Sequence, residues 1–344
     1  MKNRVAYFVA KSKIEMGEAE IPAPGAGEVL IKVRHCGICG SDVHNYIAGG
    51  TGKRIISFPF VLGHEFAGEI VGAGEHVKDL KPGDLVCVEP GVGCGECEFC
   101  KSGRYNLCAD MKFMSAYPNE GCMKDYVVFP AKNCFKLPEN LTTIEGAMVE
   151  PLAVGLHAAN RGGVSCGDTV VILGVGCIGI MTLLACKAKG ATNIIVADVF
   201  ENRLNKALEL GATAAINSAA GNVAEKVEEL TGGRYADIVF ETAGRPETTL
   251  IAADIVRRGG TIVCVGNVSE VTPYRFIDIN MKEIDLKCIF RYRNVFPLAL
   301  ELISRGKIDL KAVRPDIFPF EDAQKAFEYA INNGKDVLKC VLEL

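Results

Sequence analysis

Four cysteines in the segment GVGCGECEFCKSGRYNLC, residues 91–108, carry the strongest chemical signal in the chain. They follow the spacing C-x2-C-x2-C-x7-C at Cys94, Cys97, Cys100 and Cys108. Four thiolates fill the tetrahedral coordination shell of Zn2+ and leave no position for water or substrate. The spacing therefore predicts a structural zinc site, with free cysteines in a loop as the alternative.

A second group of residues offers the mixed ligands that an open zinc site needs. The segment CGICGSDVH contains Cys39, LGHEFAG contains His64 and Glu65, and MVEPLAV contains Glu150. Thiolate, imidazole and carboxylate together make an open or exchangeable Zn2+ site chemically reasonable, although spacing alone does not group residues so far apart. Cys36 and Cys39 also form C-x-x-C, the pattern of a thioredoxin-like redox pair. We disfavour that alternative because this C-x-x-C does not open a helix in a βαβ unit.

The segment LGVGCIG places Gly174, Gly176 and Gly179 as G-x-G-x-x-G, directly after an apolar run and at the head of a helical one. Asp198 stands nineteen residues after Gly179, close to the offset of about 20 for the acidic residue that binds the adenosine ribose. Asp198 favours NAD over NADP, although Arg203 nearby could accommodate a 2′-phosphate. The motif predicts a dinucleotide site; the alternative is a glycine-rich turn without a dinucleotide.

The elements that must position these residues change character along the chain. Up to about residue 150, short apolar runs separated by turn signals predict an antiparallel β domain. From about residue 168, apolar strands alternate with helical stretches, which predicts a doubly wound parallel sheet. Two helical stretches and a final strand follow residue 296 and could return to the first domain. The uncharged stretch from Thr169 to Cys186, eighteen residues long, is interpreted as a buried strand running into a buried helix.

The charge and composition of the chain indicate which kind of partner it binds. The chain has 344 residues, 49% of them hydrophobic, and a formal net charge of −4. With no long Lys/Arg run, it lacks the electrostatic footprint of a nucleic-acid or acidic-membrane binder, and a small-molecule partner is favoured. The 15 cysteines are odd in number, and the N-terminal apolar run is too short for a signal peptide, so we expect a cytoplasmic protein.

Several motifs together resemble the zinc-dependent medium-chain alcohol dehydrogenases, and within them the sorbitol (L-iditol, polyol) dehydrogenases. They are GICGSDVH, VLGHEFAGEIVGAG, LKPGDLVCVEPG, the cysteine quartet with GRYNLC, EPLAVGLHA, GVGCIG and IFRY. The resemblance implies an α/β protein with a GroES-like β-rich catalytic domain at residues 1–155, completed by 296–344. It further implies a Rossmann NAD-binding domain at residues 156–295 and a homotetramer.

The resemblance also implies roles for individual residues. The catalytic zinc would be held by Cys39, His64, Glu65 and Glu150, with Glu65 or Glu150 as direct ligand left open. Ser41 would take the alcohol proton and pass it to His44. The cofactor contacts would be Gly174, Gly176, Ile178, Gly179, Asp198, Arg203, Val265, Gly266, Asn267, Phe290 and Arg291. The substrate contacts would be Tyr46, Glu150, Arg291 and Tyr292. One departure is that Asn45 stands where many polyol enzymes have Tyr, and Tyr46 follows it.

The expected function is zinc- and NAD-dependent oxidation of a secondary alcohol of a polyol, of sorbitol, xylitol or L-iditol type, to the ketose. L-threonine 3-dehydrogenase and 2,3-butanediol dehydrogenase are the alternatives within the family. A zinc-ribbon module that binds nucleic acid is disfavoured by the acidic charge balance. A zinc-dependent hydrolase is disfavoured because hydrolysis needs no dinucleotide domain.

Overall fold

The structure of the chain, a computed structural model, describes residues 2–51, 54–268 and 271–344. The chain divides into two compact units. The first consists of Met1–Glu150, Phe296–Ser304 and Val313–Leu344, and the second of Pro151–Val295 and Arg305–Ala312. The domain limits implied by the resemblance stay a prediction.

The strands of the first 150 residues range from two to eleven residues in length, and those between residues 169 and 288 range from four to nine. They are β1 (Asn3–Ala10), β2 (Lys13–Ala19), β3 (Glu28–Ile38), β4 (Gly50–Thr51), β5 (Arg54–Ile55), β6 (Phe60–Val61), β7 (Glu65–Ala73), β8 (Leu85–Val88), β9 (Gly91–Val92), β10 (Lys112–Phe113), β11 (Tyr126–Pro130), β12 (Cys134–Lys136), β13 (Thr169–Leu173), β14 (Asn193–Asp198), β15 (Ala214–Asn217), β16 (Ala236–Glu241), β17 (Val256–Cys264), β18 (Asp285–Cys288), β19 (Asp316–Pro319) and β20 (Cys340–Glu343).

Five of the α-helices of the described residues lie between the strands of the second unit. The α-helices are α1 (Gly40–Ala48), α2 (Glu98–Lys101), α3 (Thr143–Ala147), α4 (Val149–Gly162), α5 (Cys177–Ala188), α6 (Glu201–Leu210), α7 (Val223–Thr231), α8 (Pro246–Ile255), α9 (Phe276–Met281), α10 (Phe296–Ser304) and α11 (Ala323–Asn332). Single 3-10 turns cover Tyr105–Leu107, Ala131–Asn133, Lys311–Val313 and Phe320–Asp322.

The first unit is built on a mixed sheet of order β12-β8-β7-β3-β20-β19, with β11 also paired to β3. Alternate residues of β3, namely Val29, Ile31 and Val33, are fully buried, as expected for a strand with one face on the core. In the register of β3, Gly37 lies opposite Glu65 of β7 and Ile38 opposite Cys340 of β20. The predicted β-rich unit is confirmed, and its pairing brings the end of β3 to the start of β7.

The second unit contains a parallel six-stranded sheet of order β15-β14-β13-β16-β17-β18. In chain order these strands run 3-2-1-4-5-6, the order of the doubly wound dinucleotide-binding fold. Strands β13, β14 and β16 are buried along nearly their whole length, because crossover helices cover both faces of such a sheet. The predicted Rossmann fold is confirmed.

The uncharged stretch beginning at Thr169 forms β13 and α5, as predicted. Eight of the twelve residues of α5 are buried, which accounts for its apolar character without a membrane. Within the described ranges, no helix combines the length and the apolar content that a membrane crossing requires.

Candidate metal centres and dinucleotide site

Cys39, His64 and Glu65 come together where β3 ends and β7 begins. Cys39 is the residue before α1, and His64 directly precedes β7, whose first residue is Glu65. One ligand atom of each, the Cys39 thiol, a ring nitrogen of His64 and a carboxylate oxygen of Glu65, lies within 4.8 Å of the other two. The antiparallel pairing of β3 with β7 therefore assembles a cluster that no local motif contains.

The donor set of this cluster fits a zinc ion. Thiolate, imidazole and carboxylate are the three ligand types that Zn2+ binds in proteins, and three protein ligands leave a position open for water or substrate. His64 and Glu65 are buried, so the site is shielded from bulk water on the protein side. The Phe113 ring lies 5.5 Å from the His64 ring, centroid to centroid, and forms an apolar wall beside the cluster.

Asp42 lies beside the imidazole of His64, next to Nδ1. Asp42 is fully buried, and its Oδ2 lies 3.5 Å from His64 Nδ1. Its Oδ1 accepts hydrogen bonds from Ser115 Oγ at 2.6 Å and from Gly63 N at 3.3 Å. Burial alone would raise the pKa of Asp42, but the His64 ring and these hydrogen bonds outweigh it and hold the pKa below its usual range. A carboxylate behind a ligating histidine orients the ring and raises its basicity.

Lys339, from the far end of the chain, supports Glu65. Its Nζ forms an ion pair with Glu65 Oε2 and donates to Ile38 O at 3.0 Å. Both side chains are buried, so the positive charge of one offsets the negative charge of the other in a low-dielectric setting. Sequence reasoning missed Asp42 and Lys339. Their signals were an acidic residue inside GSDVH and a lysine within the otherwise apolar run VLKCVL.

Glu150 lies in the first turn of α4 and is buried. Among the residues that the structure describes, the three-ligand cluster contains Cys39, His64 and Glu65, and Glu150 does not share their mutual distance of 4.8 Å. Glu65 is thus the carboxylate that the structure brings to the cluster, and a ligand role for Glu150 stays a prediction.

The residues predicted to relay a proton lie on α1, just after Cys39. Ser41 is half-buried and His44 is exposed to solvent. Residues three apart in a helix lie on neighbouring positions of its surface. A relay from Ser41 outward to His44 is therefore geometrically reasonable, and it stays a prediction.

Tyr46 is packed in the core of the first unit. It stands four residues after Asp42, on the same buried face of α1. Its ring packs 5.0 Å from that of Phe327, and its hydroxyl donates to Ser12 O at 2.7 Å and accepts from Gln324 Nε2 at 2.8 Å. Tyr46 thus ties α1 to the chain around residue 12 and to α11, and these contacts argue against its predicted role as a substrate contact.

The cysteine quartet forms one compact cluster, with all four sulfur atoms within 4.8 Å of one another. Backbone N–H groups of Glu96 and Cys97 donate to Cys94 Sγ at 3.4 and 3.3 Å, and that of Cys100 donates to Cys97 Sγ at 3.4 Å. The two N–H groups that donate to Cys94, that of Cys97 first and that of Glu96 second, lower the pKa of Cys94 to about 7. Four converging thiols with N–H groups aimed at the sulfurs fit a closed tetrahedral zinc site.

Cys36 does not pair with Cys39. Its Sγ lies 3.4 Å from Cys122 Sγ, whereas the Cys39 thiol belongs to the cluster with His64 and Glu65. The C-x-x-C pattern is therefore split between two environments, which argues against the thioredoxin-like alternative.

The glycine loop joins β13 to α5. Gly174 has a φ of +88°, a conformation that side chains disfavour. A Cβ on Gly179 would lie 2.0 Å from Gly174 O, so only glycine permits the helix to approach the loop so closely. Gly176 is the N-cap of α5 and has no capping side chain. The N-terminus of α5 therefore suits the binding of a pyrophosphate.

Asp198 ends β14 beside this loop. Its Oδ2 accepts from Val175 N at 2.8 Å and its Oδ1 accepts from Phe200 N at 3.0 Å. Arg203 Nη1 lies 3.8 Å from Asp198 Oδ2, and its guanidinium stacks 5.1 Å above the Phe200 ring. The carboxylate and the guanidinium thus stand together at the position where a dinucleotide presents its adenosine ribose.

Glu241, a further residue that sequence reasoning missed, holds the loops after β16 and β17. It is fully buried. Its Oε1 accepts from Gly244 N at 2.8 Å, and its backbone oxygen accepts from Val265 N and Gly266 N at 2.8 and 2.9 Å. A charged residue ending an apolar strand was the available signal. Glu241 therefore fixes the predicted cofactor segment that begins at Val265.

The other predicted contacts of the second unit are spread over three places. Ile178 lies in the first turn of α5, and Asn267 follows Gly266 in the loop after β17. Phe290, Arg291 and Tyr292 follow β18; Phe290 is 55% exposed with the Arg291 guanidinium 4.8 Å above its ring, and Tyr292 is buried. Their roles stay predictions.

Two family models match separate parts of the chain. A model described as alcohol dehydrogenase GroES-like domain matches residues 25–139, and one described as zinc-binding dehydrogenase matches residues 177–305. The chain belongs to the zinc-type medium-chain alcohol dehydrogenase family. The predicted cofactors, zinc and a nicotinamide dinucleotide, are confirmed at the level of this family.

Within the family the chain is close to sorbitol dehydrogenase. The sorbitol dehydrogenase of Bacillus subtilis is 40% identical over 343 residues, covering 99% of this chain and 97% of that one. A crystal structure of an Escherichia coli oxidoreductase/dehydrogenase of unknown specificity is 44% identical, with a TM-score of 0.97 and coverage of 100% and 99%. An E. coli protein described as a short chain alcohol dehydrogenase, complexed with NADH, is 30% identical, with a TM-score of 0.93 and coverage of 100% and 99%.

Proposed function

We propose that the protein oxidises a secondary alcohol of a polyol, of sorbitol, xylitol or L-iditol type, to the ketose with NAD. The observation that carries the proposal is the buried cluster of Cys39, His64 and Glu65, whose mixed donors suit an open zinc site. The identity of 40% to sorbitol dehydrogenase over nearly the whole chain supports the substrate class.

When bound, the zinc ion supplies a Lewis acid for the alcohol oxygen and NAD supplies the hydride acceptor. The chain itself must remove a proton and hold the substrate. Ser41 accepts the hydroxyl proton and passes it to His44, whose exposed side chain delivers it to solvent. Asp42 keeps the His64 ring in one orientation during this transfer.

Glu150, Arg291 and Tyr292 complete the proposal as substrate contacts. A carboxylate and a guanidinium hydrogen-bond hydroxyl groups well, since the first accepts and the second donates several bonds. Sites built to bond hydroxyl groups reject analogues that lack them by large factors. Glu150→Gln should therefore cripple turnover while NAD binding remains, and an unchanged rate would remove Glu150 from the mechanism.

The experiment that tests the function compares NAD reduction rates on sorbitol, xylitol, galactitol, L-threonine and 2,3-butanediol with zinc-loaded protein. We expect the highest kcat/KM on one of the three polyols. Brisk turnover of threonine or of butanediol with none on polyols would replace the substrate class by the corresponding alternative in the family. Ser41→Ala is the control variant, because loss of the Ser41 hydroxyl should lower the rate of NAD reduction on every alcohol without changing the zinc content.

The homotetramer and the cytoplasmic location belong to the proposal as well. Both are expectations from the family resemblance and the cysteine usage. Sedimentation at micromolar concentration tests the first, and fractionation of cells tests the second.

A further inference from the structure

Cys36 and Cys122 form a thiol pair that the proposed function does not use. Their Sγ atoms lie 3.4 Å apart, and both side chains are fully buried. Cys36 belongs to β3, while Cys122 lies in the segment before β11 and donates its backbone N–H to Gly63 O at 2.9 Å. Within the described residues, neither thiol belongs to a group of three or more metal-ligating side chains. Two sulfurs in contact without further ligands suit a covalent bond better than a metal.

The geometry leaves a short path to a disulfide. A disulfide requires an S–S distance of about 2.0 Å, so the two sulfurs must approach by little more than an ångström. Burial raises the pKa of the Cys122 thiol well above its usual value, because an apolar setting penalises the thiolate. The disulfide is uncharged and meets no such penalty. The same burial that slows the reaction therefore protects its product from reduction.

We propose that Cys36 and Cys122 are an oxidation site, at which a small peroxide converts the two thiols into a disulfide. One sulfur attacks a peroxide oxygen, the O–O bond breaks, and a sulfenic acid and water form. The second sulfur then attacks the sulfenic sulfur and releases a second water. The two thiols lose two electrons and two protons in total, and hydrogen peroxide is reduced to two molecules of water.

This bond would act on the cluster of Cys39, His64 and Glu65 through Gly63. A Cβ on Gly63 would lie 3.0 Å from Cys36 Sγ and 3.2 Å from Cys122 Sγ, so both sulfurs lie beside Gly63 and leave no room for a side chain there. Gly63 N also donates to Asp42 Oδ1 and Ser115 Oγ, and His64 is the next residue. When the disulfide forms, the two sulfurs move together, and this movement shifts Gly63 and the adjacent His64 ring. The effect on turnover rests on the proposed function, whereas the bond itself does not.

Peptide mapping of the zinc-loaded protein tests the bond. The protein is treated with hydrogen peroxide, its remaining thiols are capped with N-ethylmaleimide, and a non-reduced digest is analysed by mass spectrometry. We expect a peptide that links Cys36 to Cys122 and that dithiothreitol separates. Oxidation of the exposed Cys166 and Cys288 shows that the oxidant has acted. Absence of the linked peptide when these two are oxidised overturns the proposal.

Activity measured on the same samples tests the coupling. We expect the turnover rate to fall in proportion to the fraction of protein that carries the link, and by at least twofold when all of it does. The rate should recover when dithiothreitol is added. Cys122→Ala should lose the linked peptide and this reversible component, and Cys36→Ala serves if that variant does not fold. Cys186→Ala, which removes another fully buried thiol, should keep both. A linked peptide with an unchanged rate would overturn the coupling to His64.

A protein inactive on all alcohols would refute the proposed function. The peptide map would still show whether the bond between Cys36 and Cys122 forms.

Discussion

Lys339 and Glu65 form an ion pair between the residue just before β20 and the first residue of β7. Both side chains are buried, at 4% and 1% exposed. Lys339 also donates to Ile38 O, at the end of β3. One ammonium group thus joins β3 to a predicted zinc ligand on β7. The pairing of β20 with β3 is what delivers it there.

Replacement of Lys339 by Met should destabilise the protein and its metal cluster together. The variant keeps the apolar stem but leaves the Glu65 carboxylate buried without its cation, which costs about 3–5 kcal/mol. We expect the free energy of unfolding in urea to fall by that order, and the zinc content to fall on dialysis. Lys339→Arg should restore part of both. Lys335→Met removes an exposed lysine of the same segment and should change neither; wild-type zinc content in Lys339→Met would contradict the role.

The sequence was sufficient to predict features whose determinants are local. The glycine loop and Asp198 stand within one strand-turn-helix unit and the strand that follows it, and alternating strands and helices specify the parallel sheet. The cysteine quartet lies within fifteen residues. In each case, the residues predicted to do the chemistry also fix the local backbone, so spacing carries the information.

Features that depend on tertiary pairing could not be predicted from spacing. Lys339 meets Glu65 only because β20 pairs with β3 and β3 with β7. The core position of Tyr46 follows from the register of α1, which aligns Tyr46 with the buried Asp42, whereas the motif only indicates that a tyrosine stands near the site. The sequence likewise does not predict the contact of Cys36 with Cys122, because its C-x-x-C pattern suggests a pair of Cys36 with Cys39.

Replacement of Asp42 by Asn should weaken the predicted catalytic zinc site without removing a ligand. The amide keeps an oxygen to accept from Ser115 but loses the negative charge that faces His64 Nδ1. Loss of such a carboxylate typically lowers metal affinity or activity by about 10–100-fold. Zinc competition with a chromogenic chelator measures the affinity. Ser115→Ala, which leaves the charge in place, should have a smaller effect, and equal affinities in all three proteins would contradict the prediction.

Substitutions in the two metal clusters should have different effects on stability and on turnover. Cys100→Ser removes a sulfur from the quartet and should lower thermal stability and zinc content by one ion per chain before it changes kcat. Cys39→Ser should also remove one ion but abolish turnover while the fold is retained. Zinc determination, thermal unfolding and kcat on the same preparations give the comparison. A quartet variant that folds as stably as wild type would show that the loop needs no metal.

Asp198 should set the choice of dinucleotide. Asp198→Ala removes the carboxylate that favours ribose hydroxyls over a 2′-phosphate, and it frees Arg203 from the neighbouring charge at 3.8 Å. We expect kcat/KM for NAD to fall and that for NADP to rise, changing their ratio by about 100-fold, or about 3 kcal/mol. Adding Arg203→Ala should remove the gain for NADP. If NADP already supports the faster wild-type reaction, the predicted preference is wrong.

Glu89 should make stability fall as the pH rises. Glu89 is buried, with its carboxyl group bonded to the Tyr105 hydroxyl at 2.7 Å, and burial raises its pKa from 4.5 to about 7. Because the folded state retains the proton longer than the unfolded state, this stability is complete below pH 4.5 and is lost as the pH rises through 7. The loss is up to about 3 kcal/mol.

Urea unfolding of zinc-loaded protein at pH 5, 6, 7 and 8 measures this loss of stability. Glu89→Gln stays neutral and should flatten this part of the profile, whereas Glu139→Gln, at an exposed position, should leave it unchanged. Parallel profiles for wild type and Glu89→Gln would show that the Glu89 carboxyl titrates normally.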